Sequence, residues 1–326
     1  MFIVTNKTKK NVRVGTFFAY KFQKDTFMQN FSDLNLYELL HILKKQIANT
    51  APHDIIEFIL KDPDYLQPSK AISYKSIVDL AQILQCRMLT PKQLPNQHVL
   101  VRLYKLQTQK SFHKESDIEQ KYGNDSIFST IDKNNQTSFL HYYLESLKNV
   151  NIPKKARILN LGINSGEEFE IIKKDLKDFS TYELVGIDYC KSAIQKAKQR
   201  FQNDKNITFY QHNINHLDSL KLGTFDLIIS IATLQSTTLN FKQLFMEIVQ
   251  KHLHKNGSII LGFPNCRWID SEMIYGAKVK NYNFSEMGLL YSDVIFCKKY
   301  LQQKKFRVMV TGKDYLFLSG VSILKF

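Results

Sequence analysis

The chain has 326 residues, of which 44% are apolar and 23% charged, the balance of a soluble protein with at least one large core. No apolar run approaches the ~18 residues of a membrane span, which argues against a transmembrane helix and a membrane partner. The net charge of +15 implies a general attraction for polyanions, but residues 1–110 hold 16 Lys/Arg against 8 Asp/Glu, so the charge is spread and not gathered into one arm. Cys86, Cys190, Cys266 and Cys297 are far apart with no C-x-x-C pair, so neither a disulfide framework nor a zinc site is expected, and the default location is a reducing cytoplasm. The histidines show no ligand spacing, so no metal is expected. Met1 to Val4 are apolar but a polar, basic stretch follows, without the core of a signal peptide.

In chain order, Val12–Phe22 reads as a strand. Leu34–Gln46, His53–Leu60 and Tyr74–Met88 have helical spacing, with Leu36, Leu39, Leu40 and Leu43 on one face. Val99–Leu106 again reads as a strand. Residues 1–110 are therefore expected to form a small α+β accessory domain for substrate recognition, and the polar stretch 111–136 a linker. From residue 137 the pattern changes. A helix over Thr137–Lys148 leads into strands at Arg157–Leu161, Glu183–Asp188, Ile207–Gln211, Phe225–Ile231 and Ser258–Phe263. Helices at Glu167–Leu176, Lys191–Phe201 and Phe241–Leu253 fall between them. That alternation predicts an α/β fold, a doubly wound, mostly parallel sheet covered on both faces. Pro264 to Gly288 reads as irregular. A helix over Leu290–Gln303 and a hairpin of Phe306–Thr311 with Tyr315–Leu324 close residues 137–326.

The stretch Ala156-Arg-Ile-Leu-Asn-Leu-Gly-Ile-Asn-Ser-Gly166 is a buried strand, a glycine turn and a helix start. Such a turn lets a ligand sit against bare backbone N–H groups at a helix N-terminus. Leu184-Val-Gly-Ile-Asp188 then ends a second strand in an acid placed to accept hydrogen bonds from ribose hydroxyls. Together they read as a nucleoside-cofactor site.

These segments, in this order, resemble the class I S-adenosylmethionine-dependent methyltransferases over residues 156–324. The resemblance implies seven strands with the last one antiparallel, and S-adenosylmethionine as cofactor. Gly162 and Gly166 match the family's glycine motif. Asn160 stands where the family has an acid near the cofactor's methionine moiety, and Asn164 replaces the middle glycine, a change the left-handed region tolerates. Asp188 matches the ribose-binding acid. Asn213 stands at the adenine-contacting position, and the Ile214 backbone N–H would pair with a ring nitrogen.

No catalytic residue follows from the resemblance, because methyl transfer mainly requires an aligned acceptor. The Asn/Asp-Pro-Pro-aromatic motif of amino-group methylation is absent: Ile231-Ala232-Thr233-Leu234-Gln235 stands there. Cys266 is a candidate nucleophile for carbon-5 methylation of cytosine. Arg267, Trp268, Tyr275, Lys278, Lys280, Tyr282 and Phe284 offer aromatic and cationic groups for a planar or anionic acceptor, and for a hydroxyl acceptor Glu272, His212 or a tyrosine are the candidate bases, with no choice among them. The leading reading is a methyltransferase acting on a small molecule. Two others stay open: an RNA methyltransferase docking through its basic N-terminal region, and a degenerate domain, weakened by Asn160, Asn164 and Asn213, that only binds partners. The oligomeric state is not legible.

Overall fold

The computed structural model describes residues 29–67, 71–107, 117, 121–123, 126–150, 152–236, 239–277 and 285–323. The strand expected at Val12–Phe22 and the side chains of Lys278, Lys280, Tyr282 and Phe284 lie outside them.

The N-terminal sheet runs β1 (Gln29–Asn30), β2 (Ile55–Lys61), β5 (His98–Lys105) and β3 (Cys86–Met88), with β4 (Lys92–Leu94) also on β5. Helices α1 (Leu36–Asn49) and α2 (Tyr74–Ile83) contribute Leu39, Leu43, Ile47, Ile77 and Leu80 to one core with Phe58, Leu60, Val99, Val101 and Leu103. An Asn35–Glu38 capping box starts α1. The helix expected over His53–Leu60 is instead strand β2. Its apolar run is short, with β-branched Ile55, Ile56 and Ile59, so a helical period cannot be told from a strand there, and seven residues of pairing with β5 decide it. Likewise α2 stops at Ile83 and the chain turns into β3 at Cys86.

The larger sheet has seven strands in the order β13-β14-β10-β9-β6-β7-β8. Its parallel strands are β6 (Arg157–Leu161), β7 (Glu183–Asp188), β8 (Ile207–Gln211), β9 (Phe225–Ile231) and β10 (Leu253–Pro264). The hairpin β13 (Phe306–Gly312) and β14 (Tyr315–Ser322) inserts β14 antiparallel to β10. Successive strand residues point to opposite faces. Accordingly Ile158, Leu227 and Ile229 join a core with α3 (Thr137–Asn149), α4 (Glu167–Asp175) and α5 (Lys191–Arg200). Leu159, Val185 and Ile228 join the other, with α6 (Phe241–Glu247) and α7 (Gly288–Gln303).

Two expectations need correction here. The helix expected to reach Leu253 ends at Glu247 and passes through a π-turn, Ile248–His252, directly into β10. Leu253 already pairs with Phe225, and a register shift follows before Ser258. The stretch read as irregular contains a hairpin, β11 (Cys266–Ile269) with β12 (Glu272–Tyr275). This hairpin touches the N-terminal sheet. Ile269 and Ile274 bury against Leu106, and Glu272 lies 3.6 Å from Arg87. Among the described residues no helix is long and apolar enough to cross a membrane.

Candidate functional site

At the carboxyl ends of β6, β7, β9 and β10 lies a cavity of about 490 Å³, the usual place for a ligand in an open α/β sheet. One end is lined by Gly162, Asn164, Asp188, Asn213 and Ile214, and the other by Pro264, Cys266, Arg267, Trp268 and Tyr315. Five of the seven sequence-predicted residues are thus brought together. Asn160 and Gly166 are not on the wall. Asn160 is buried within β6, and among the described residues its Nδ2 has no hydrogen-bond partner. Gly166 caps α4 at φ +91°, where a Cβ would come within 2.6 Å of the Phe201 ring.

The glycine turn departs from expectation in one respect. Its N–H groups are not bare. Gly162 and Ile163 donate to the Ile187 carbonyl, Asn164 donates to Asp188 Oδ2 at 2.8 Å, Ser165 donates to Asn164 Oδ1, and Gly166 donates to the Ile163 carbonyl. The turn closes on β7, and glycine serves close approach instead. Gly162 has φ +79°, and a Cβ there would sit 1.9 Å from Thr233 Oγ1. Asn164 is left-handed at φ +46°, as expected of the residue replacing a glycine.

Asp188 does two things at once. Its Oδ1 accepts from the Cys190 N–H at the start of α5, and its Oδ2 accepts from Asn164. Burial pushes its carboxyl above the usual aspartate range, against the pull of those N–H groups. Each carboxylate oxygen keeps lone-pair capacity toward the cavity. Asn213 caps a 3-10 helix over Ile214–Leu220 by accepting from the Asn215 N–H at 3.0 Å.

Sequence reasoning missed Lys133. It lies in the polar stretch read as linker, which carries 3-10 turns at Ile127–Thr130 and Lys133–Asn135. Its Nζ donates to Glu168 Oε1 at 2.7 Å, and it also lines the cavity. Burial alone would push the ammonium down, but Glu168, Glu167 and Asp188 hold it above the usual lysine range. The available signal was Glu168 itself, an acid on the buried face of α4 that calls for a cation.

At the other end Trp268 Nε1 lies 3.4 Å from the Tyr315 hydroxyl, to which it donates, and Tyr315 packs edge-on against Phe139. Burial pushes the Cys266 thiol up to about 12. A protonated thiol is a poor nucleophile, so burial disfavours covalent catalysis there even though Cys266 lines the cavity. Of the proposed bases, His212 lines the cavity, whereas Glu272 is turned to Arg87.

An antiparallel strand inserted beside a parallel five-stranded run, with the cavity over a glycine turn and a strand-end aspartate, is the arrangement of a class I methyltransferase. Residues 152–313, about half the chain, match the family model described as "Methyltransferase domain". That segment belongs to this family. The protein is a methyltransferase, and S-adenosylmethionine is its cofactor. No curated protein matches the chain. Among solved structures it is similar to a SAM-dependent methyltransferase from Aquifex aeolicus (11% identity, 65% of this chain and 97% of that chain, TM-score 0.40). It is also similar to the N-methyltransferase NodS from Bradyrhizobium japonicum WM9 (16% identity, 58% and 98%, TM-score 0.40). Likenesses of this degree assign no acceptor.

Proposed function

We propose that the protein transfers the methyl group of S-adenosylmethionine to a small molecule held in the same cavity. The observation that carries this reading is the cavity itself. One end offers the hydrogen-bonding groups a nucleoside needs, and the other is lined by Pro264, Cys266, Trp268 and Tyr315 with Arg267 among them, a mainly apolar and aromatic wall. Asp188 would accept from the ribose hydroxyls. Asn213 and the Ile214 backbone would face the adenine, and Gly162 and Asn164 would let the cofactor approach the turn. Asn160 would contribute from beneath the turn, and Gly166 by starting α4. When bound, the cofactor supplies a methyl group activated by its sulfonium. The chain's own residues then align the acceptor and exclude water.

Among the described residues of the N-terminal region, Lys61, Lys75, Arg87 and Arg102 each form an ion pair with an acid. We read residues 1–110 as an accessory unit that supports the acceptor end through the β11–β12 hairpin, with 137–326 as the catalytic domain.

Calorimetric titration with S-adenosylmethionine and S-adenosylhomocysteine tests the cofactor site. Micromolar binding, lost in Asp188→Ala, is the expected result. A folded wild-type protein that binds neither, with none co-purified, refutes the reading. Transfer of labelled methyl to metabolites but not to RNA then tests the acceptor class.

A further inference from the structure

Of the two strong cations on the cavity wall, Lys133 is paired with Glu168, whereas Arg267 has no acid partner among the described residues. Arg267 is half-buried, yet among the described residues no carboxylate lies within 4.0 Å of its guanidinium. Its Nη1 donates to the Gly276 carbonyl at 3.1 Å and lies 3.4 Å from Ser285 Oγ. Both are neutral, and they leave most of the guanidinium's five donors free. Burial holds the group below the usual arginine range, and no acid offsets that effect. Residues 278–284, which follow the hairpin, contain no Asp or Glu.

A guanidinium kept partly out of water without a counter-ion is costly unless a ligand supplies one. The fold pins it in place. β11 pairs with β12, placing Arg267 opposite Ile274, and Ile269 of the same strand is buried against Leu106. The neighbouring wall is apolar and aromatic: Pro264, Trp268 and Tyr315 at the end of β10, in β11 and in β14.

We infer that the acceptor is a small molecule with an aromatic or apolar body and an oxyanion, a carboxylate or phosphate, and that Arg267 binds this anion while Trp268 and Tyr315 hold the body. The guanidinium fork suits either anion, because both present two coplanar oxygens. This inference rests on the small-molecule reading above and specifies it. Arg267 is a binding and specificity residue in this scheme and takes no part in the bond changes.

The test is a thermal-shift and calorimetric panel of benzoates, phenylacetates and phenyl phosphates, each acid paired with its neutral amide or alcohol. It is run with and without saturating S-adenosylhomocysteine. At least one acid should bind roughly tenfold or more tightly than its neutral partner, the size of one charge-assisted contact. Arg267→Gln should erase that preference, and Arg267→Lys should restore part of it. The carboxylate and phosphate arms tell the two anions apart. Equal binding of acids and neutral partners, no binding by any acid, or an unchanged preference in Arg267→Gln would overturn the inference. S-adenosylhomocysteine binding, measured on the same samples, reports folding of the variants. Its absence from wild type would defeat the cofactor reading, while the acid preference would still decide the role of Arg267.

Discussion

Lys133, on the wall of the cofactor cavity, meets the buried Glu168 at 2.7 Å, tying the segment before α3 to the first turn of α4. Glu168 is 1% exposed and, among the described residues, its Oε2 has no hydrogen-bond partner, so the Lys133 ammonium is the cation that offsets its burial. Removing a single member of a buried pair strands the other charge. Lys133→Met should therefore cost about 3–5 kcal/mol in urea unfolding, and Lys133→Met with Glu168→Leu should recover most of it. Additive losses in the double mutant would show that the two residues do not act as a pair.

Gly162 and Asn164 should respond in opposite ways. Gly162→Ala forces a side chain into a left-handed position and against Thr233, so it should cost about 1–3 kcal/mol and weaken S-adenosylhomocysteine binding. Asn164→Gly relieves a left-handed Asn but loses the acceptor for the Ser165 N–H, and should stay within about 1 kcal/mol of wild type. Chemical denaturation and calorimetry of both variants check this. Wild-type stability in Gly162→Ala would contradict the close packing on Thr233.

The parallel strands were legible because burial on both faces leaves short apolar runs such as Ile158-Leu159 and Leu227-Ile228-Ile229, and these alternate with longer helical patterns. The turn and Asp188 were legible because glycine and a strand-end acid carry local geometry. What was lost depends on distant contacts. β2 is fixed by pairing with β5, 37 to 49 residues further along the chain. The β11–β12 hairpin is fixed by its packing on Leu106. Lys133 looks like any solvated lysine until Glu168 is placed opposite it. The turn's N–H groups seemed available to a ligand because sequence does not show that Ile187 and Asp188 already take them.

Cofactor affinity should depend on pH through Asp188. Its folded carboxyl titrates above 3.8 because burial disfavours the charge. The ionised form is the stronger acceptor for ribose hydroxyls, so it is present above that raised pKa and lost as pH falls through it. S-adenosylhomocysteine binding should therefore weaken on acidification before an ordinary aspartate would protonate. Asp188→Asn should bind about tenfold or more weakly near neutrality and should lack this acid limb. The measurement is calorimetry over pH 4 to 8 (about the range in which the fold itself is expected to persist). An identical pH profile in the mutant would assign the titration to another group.

Cys266 offers the sharpest test of mechanism. Its thiol lines the cavity and is pushed up to about 12 by burial, with Asp314 adding to the rise. At neutral pH it is protonated, so an attack that needs a thiolate is disfavoured. Cys266→Ser should leave methyl transfer within about threefold of wild type, because alignment and not a covalent adduct provides the rate. Alkylation by iodoacetamide at neutral pH should be slow in the native protein and fast after denaturation. Loss of turnover by orders of magnitude in Cys266→Ser, with S-adenosylhomocysteine binding intact, would instead establish a covalent route and place the acceptor among carbon nucleophiles that need activation.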